Sequence, residues 1–292
     1  MNSSLERERF IPSFDGTQLY TVSCGAGPVV VLCDGLGCSG FIWRYLVPAL
    51  TRQYRVIRWH YRGHGLSGRP RDPASVGMEA LRADLAAVLA AHAAPKVALL
   101  GHSMGAQVIL DYALHAPQQI AGLVPICGSY GRPLDTFHGA DRAARLFPLL
   151  RDAVRRWPRL GQSLWRRTML STLAYQIAVT FEVNGDMVRW EDFWPYFEHL
   201  GGMDVGFFVQ LLDQLQHHTV EDRLQDIDMP TLVVAGERDT FTPAWLSRRM
   251  QQLLPQAELM VVPGGTHVAP IEVPELLNLH IQRFLAAQVF PV

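Results

Sequence analysis

Short runs of β-branched and other apolar residues alternate along this chain with longer stretches of helical period, and Gly, Pro or Asp punctuates the joins. The runs that predict strands are Gln18 to Cys24, Val29 to Cys33, Arg55 to Trp59, Val97 to Leu100, Ile120 to Ile126, Thr231 to Ala235 and Leu259 to Val262. Val29, Val30, Val31 and Leu32 follow one another with no polar break, the mark of a strand covered on both faces. Met78 to His92 sets Leu81, Leu85, Val88 and Leu89 on one helical face; Ala106 to His115 reads as a second helix and Pro274 to Ala287 as a closing one. This alternation predicts an α/β protein, a mostly parallel, doubly wound β-sheet flanked by helices.

The alternation stops between about Ser129 and Asp228, where helical periodicity continues without a convincing strand. The expected organisation is therefore a core domain over 1–128 and 229–292 with a helical cap, or lid, inserted over 129–228. Trp157, Trp165, Phe181, Trp190, Phe193, Trp194, Tyr196, Phe197, Phe207 and Phe208 fall in the insertion. Most such rings pack lid helices onto the sheet domain; several are expected to wall an apolar pocket at the seam. Charge is uneven there. Arg142, Arg145, Arg151, Arg155, Arg156, Arg159, Arg166 and Arg167 crowd the first half, while Glu182, Asp186, Glu191, Asp192, Glu198 and Asp204 make the second half acidic. Pairing across the lid or plain solvation accounts for this; an anionic substrate or an acidic surface is the alternative.

With 292 residues, 49% apolar and 18% charged, the chain can bury a substantial core, and its formal net charge of -1 gives no overall bias toward nucleic acid. Cys24, Cys33, Cys38 and Cys127 lack paired-ligand spacing, and His217-His218 stands without a matching ligand cluster, so neither a metal nor a cofactor is expected. The start of the chain alternates Glu and Arg without the apolar core of a signal peptide, and no apolar stretch approaches the roughly 20 residues of a membrane span. A cytoplasmic protein without a membrane span, acting on a small molecule, is the expectation.

The strongest chemical signal is Gly101-His102-Ser103-Met104-Gly105, directly after a predicted strand and at the opening of a predicted helix. A sharp turn there lifts the Ser103 hydroxyl above the sheet edge and sets it near a helix N-terminus, which favours developing negative charge. With that element placed, the chain resembles the α/β-hydrolase fold family, in its serine-nucleophile, esterase- and lipase-like branch, over nearly its whole length.

The resemblance implies the chain order nucleophile, acid, histidine. Asp239, in Gly236-Glu237-Arg238-Asp239-Thr240-Phe241-Thr242-Pro243, is similar to the family's acid loop, with Glu237 the nearest competitor; Asp135 is too far from the preceding strand to attract. His267, in Gly264-Gly265-Thr266-His267, is similar to the segment ahead of the last helix. The implied oxyanion donors are the backbone NH groups of Leu36 and Met104. Two departures stand out: Asp34 replaces the usual histidine of the early loop, where it either braces the loop or places charge near the oxyanion, and His60 replaces the aspartate of a structural turn in His60-Tyr61-Arg62-Gly63-His64-Gly65-Leu66-Ser67. The implied activity is cleavage of an apolar ester, thioester or lactone through an acyl-enzyme. Acyl transfer, perhydrolase, carbon-carbon hydrolase or lyase chemistry, or a slow-turnover receptor, stays open on the same scaffold.

Overall fold

A computed structural model describes residues 6–139 and 141–291, apart from the Phe181 side chain. Eight strands form one sheet: β1 (Arg7–Pro12), β2 (Gln18–Cys24), β3 (Val29–Cys33), β4 (Arg55–Trp59), β5 (Val97–His102), β6 (Ile120–Ile126), β7 (Thr231–Gly236) and β8 (Ala257–Val262). Their spatial order is β1-β2-β4-β3-β5-β6-β7-β8. The β1–β2 and β2–β4 pairs are antiparallel and every pair from β4 to β8 is parallel. The α/β class and the seven strands read from the sequence are present. β1 was missed, because an edge strand with charged side chains and a single buried residue, Ile11, carries almost no apolar signal.

The longer helices are α1 (Met78–Ala91), α2 (Met104–His115), α3 (Arg142–Arg156), α4 (Pro158–Met169), α5 (Thr172–Phe181), α6 (Trp190–Gly202), α7 (Val205–Gln216), α8 (Ala244–Leu253) and α9 (Pro274–Phe284). Helices α3 to α7 lie between β6 and β7, where the only β pairing among the described residues is an isolated bridge between Gly131 and Thr219. No helix among the described residues is long and apolar enough to cross a membrane.

Strand side chains alternate between two buried faces. Val31, Ile57 and Leu99 point to the layer holding Leu81, Leu85 and Val88 of α1, Val108 and Ile109 of α2, and Leu246 and Met250 of α8. Val30, Leu32, Val56 and Leu100 point to the opposite layer with Trp43, Leu46 and the α9 residues Leu277, Ile281 and Phe284. Burial on both faces is why these strands read as continuous apolar runs rather than as alternation.

One buried charge pair ties the turn after β4 to α1. Arg62 Nε donates to Asp84 Oδ2 at 2.7 Å and Nη2 to Oδ1 at 2.6 Å, and both side chains are fully shielded from solvent. Arg62 Nη1 adds bonds to the Ser75 carbonyl at 2.8 Å and Asp15 at 3.2 Å, while the Ser13 hydroxyl donates to Asp84. Removing one partner strands the other charge in the core. Asp84→Ala is therefore expected to lower the unfolding free energy by about 3–5 kcal/mol in urea titration, and the Arg62→Met, Asp84→Leu double variant to regain most of it.

Candidate active site

The strand β5 passes into α2 through one residue, Ser103, whose backbone is forced to φ 55 and ψ −115. Such a left-handed value is costly for a residue with a side chain and persists only where surrounding contacts over-determine it. Those contacts are visible at the flanking glycines. A Cβ at Gly101 would lie 2.3 Å from the Gly105 carbonyl oxygen, and one at Gly105 would lie 2.1 Å from the Cys33 carbonyl oxygen. Both motif positions thus need glycine because backbone meets backbone. The Ser103 NH is fixed to the Ile126 carbonyl at 3.0 Å.

Asp239 follows β7 and His267 follows β8, so both arrive at the same end of the sheet as Ser103. His267 Nε2 lies 3.0 Å from Ser103 Oγ, and its Nδ1 lies 3.0 and 3.2 Å from the two Asp239 oxygens. The three residues singled out from the sequence therefore form one hydrogen-bonded chain. Asp239 is held independently: Oδ1 accepts the Phe241 and Thr242 NH groups at 2.8 Å each, and Oδ2 accepts the Thr242 hydroxyl at 2.7 Å. Glu237, the competitor, instead accepts the Gly264 NH at 2.8 Å from an exposed position, and Asp135 accepts from Gln216.

Sequence reasoning missed the residues that hold this chain in place. Glu272, buried, takes the Thr266 NH at 2.7 Å, the Thr266 hydroxyl at 2.6 Å and the Asn184 NH at 2.9 Å, fixing the loop before His267. A lone acid inside the apolar stretch Ala269 to Val273 was the available signal. His102 Nε2 donates to the His267 carbonyl at 2.8 Å; burial above all, then the nearby His267, pushes its imidazole down to about 3, so it stays neutral. His64, pushed down to about 3 mainly by burial, accepts the Gly37 NH at 3.1 Å through Nε2 and donates from Nδ1 to the Arg62 carbonyl at 3.0 Å. The turn carrying His60 to Ser67 thereby braces the loop that carries Leu36.

That loop lies directly against Ser103, since a Cβ at Gly35 would sit 3.2 Å from Ser103 Cβ. The NH groups of Leu36 and Met104 have no hydrogen-bond partner among the described residues, and both residues line the same cavity as Ser103 and His267. Asp34 turns away from it. Its side chain borders a separate notch of about 240 Å³ with Trp43, Arg58 and Trp59, where burial pushes the carboxyl up to about 7 and Oδ1 finds no partner among the described residues. The four cysteines are buried and unpaired, and burial drives the Cys33 thiol up to about 12.

The cavity above Ser103 has a volume of about 600 Å³ and an overwhelmingly apolar wall. Of the aromatic residues noted in the insertion, Trp165, Phe193, Tyr196, Phe197 and Phe208 line it, whereas Trp190 and Trp194 stack on each other with centroids 4.3 Å apart. Trp157 is exposed, and Phe207 packs over the Gly63 turn. The Phe181 side chain lies outside the described residues.

Comparison with known proteins bears on the fold and the family. A protein of Agrobacterium fabrum that bears the name carbamate hydrolase RutD is 28% identical over 258 residues, covering 88% of this chain and 93% of its own. The crystal structure of a hydrolase from Pseudomonas aeruginosa PA01 superposes with a TM-score of 0.78 at 25% identity, over 96% of this chain and 99% of that one. The enol-lactonase from Burkholderia xenovorans LB400 shares the fold, with a TM-score of 0.78 at 19% identity over 95% of this chain and 100% of its own. The family model for the alpha/beta hydrolase fold matches residues 28–274, and the chain belongs to that family of enzymes.

Proposed function

We propose that the chain is a serine hydrolase that cleaves an apolar carboxylic ester, thioester or lactone through an acyl-enzyme, with helices α3 to α7 acting as its lid. The observation that carries the reading is the Ser103–His267–Asp239 chain of hydrogen bonds on the wall of a large apolar cavity that Leu36 and Met104 also line.

A serine hydroxyl is a weak nucleophile at neutral pH. As Ser103 Oγ attacks the acyl carbon, its proton passes to His267 Nε2, and the carbonyl π electrons move onto oxygen. The Asp239 carboxylate against Nδ1 keeps the imidazole in the tautomer that can accept this proton, and then stabilises the cation. The new oxyanion is met by the NH groups of Leu36 and Met104. Collapse expels the alkoxide or thiolate, which takes the proton from His267; water, deprotonated by the same imidazole, then releases the acid and restores Ser103.

A carbamate, the substrate class in the name of the Agrobacterium relative, presents an acyl carbon open to the same attack. The size and apolar lining of the cavity favour a medium-length hydrocarbon acyl group instead. Esters of graded acyl length, assayed beside carbamates, separate the two substrate classes. A fluorophosphonate is expected to label Ser103 alone. Ser103→Ala should abolish labelling, and Asp239→Asn should lower kcat about ten-thousandfold with little change in KM. A folded protein that neither labels nor turns over any ester would overturn the reading.

Asp34 supplies a separate test through pH. Its carboxyl titrates near 7 in the folded chain against 3.8 ordinarily, so the folded state binds the extra proton between those values. Stability must then fall as pH rises through that window, by on the order of a few kcal/mol. Asp34→Asn is expected to raise Tm above wild type at pH 8 and to flatten its decline from pH 5 to pH 8, read by calorimetry across that range.

A further inference from the structure

Nine of the seventeen exposed large apolar side chains among the described residues fall in one short stretch, between Leu146 and Ile177. They follow helical spacing. Leu146, Leu149, Leu150 and Trp157 continue one stripe along and just past α3, Leu160 and Leu164 one along α4, and Leu173 and Ile177 one along α5. The other faces of α3 and α4 are already used: Phe147 and Val154 pack with Val205 and Val209 of α7, and the Trp165 indole donates to the Leu200 carbonyl at 2.5 Å. The exposed stripes have nothing over them among the described residues.

Charge says what could cover them. From Arg142 to Met169 the chain holds eight arginines and one acid, Asp152, a net +7 in a protein whose overall charge is -1. Arg145 pairs with Asp141, and Arg151 and Arg155 lean on Asp213; Arg142, Arg156, Arg159, Arg166 and Arg167 make no ion pair among the described residues and are exposed. Of the acids in the second half, Asp192 pairs with Arg44 at 2.6 Å, Asp204 with Arg69 at 3.2 Å, and Glu182 bonds the Thr240 hydroxyl and His138; Asp186, Glu191 and Glu198 are exposed and pair with none of the eight arginines. A two-fold dimer through this surface would set the unpaired arginines against their own copies. Nucleic acid would satisfy the arginines and leave the leucines in water.

We infer that α3 to α5 dock on an anionic phospholipid surface, with Leu149, Leu160 and Leu164 entering the acyl boundary and Arg156, Arg159 and Arg166 meeting lipid phosphates. Basic amphipathic helices bind such surfaces by adding buried apolar area to electrostatic attraction. Leu146 and Leu150 belong both to the exposed stripe and to the wall of the 600 Å³ cavity, so docking turns the cavity mouth toward the lipid. This orientation rests on the acyl-hydrolase reading; the binding itself does not.

Flotation of the Ser103→Ala protein with vesicles tests the docking independently of catalysis. Strong flotation is expected with phosphatidylcholine vesicles that contain phosphatidylglycerol, weakening at high salt, and little with phosphatidylcholine alone. Each of Arg156→Glu, Arg159→Glu and Arg166→Glu should weaken partitioning at least fivefold, and each of Leu149→Ser, Leu160→Ser and Leu164→Ser about tenfold, with unchanged circular dichroism. Absence of flotation at low salt, equal flotation on both vesicle types, or a solution dimer that the leucine substitutions dissociate would each overturn the proposal. Ester turnover in vesicle-free buffer reports on the hydrolase reading alone, so the two can fail separately.

Discussion

The contact between Gly105 and the Cys33 carbonyl is the constraint on which the site depends. It brings the first turn of α2 against the end of β3 with no room for a methyl group, and the loop that follows β3 must then run across Ser103. Two consequences come from this one approach. The Ser103 backbone is pinned at φ 55 between β5 and α2, and Leu36 and Met104 line the same cavity as Ser103. The strain at Ser103 is borne by the pairing of β5 with β3 and β6, strands buried almost throughout on both faces.

Much of this was legible because β5, β6 and β7 are buried on both sides and so announce themselves as nearly unbroken apolar runs. Val97 to Leu100 and Thr231 to Ala235 could hardly be read otherwise. Boundaries were less legible. α2 begins at Met104, two residues before the expected start, because the turn geometry rather than apolar period sets its first residue. α9 gives way to a π turn at Leu285–Val289 where the expected helix ran on. β8 starts at Ala257, where a half-exposed pattern hides the strand.

What sequence could not show were partnerships across long stretches of chain. Glu272 and Asn184 are 88 positions apart, Arg62 and Asp84 are 22 apart, and His64 reaches Gly37 over 27. Glu272 in its apolar stretch and Asp84 among the buried positions of α1 hinted at a buried bond without naming the partner, whereas Arg62 and His64, in a Gly-rich polar turn, gave no such hint. The arginines of the insertion show the converse. Opposed charge in the two halves left pairing and plain solvation both open; Asp204 accepts the Phe207 NH at the start of α7 and Asp192 pairs with Arg44, while Asp186, Glu191, Glu198 and most of the arginines are left in solvent.

Three histidines close to the site show how burial and partner choice divide roles within one residue type. His64 and His102 hold backbone groups, and protonating either would bury a cation that faces no carboxylate within bonding reach; His102 Nδ1 has no partner at all. Desolvation fixes both as neutral braces. His267 sits in the same crowded region, but its Nδ1 meets Asp239, whose charge is already compensated by two NH groups and a hydroxyl. A proton arriving at His267 Nε2 from Ser103 therefore creates an ion pair with its counter-charge in place, whereas at His102 it would create an isolated charge. That difference, set by the side chains opposite each ring, is what lets one of the three carry a proton during the proposed reaction while the other two hold the loops around it.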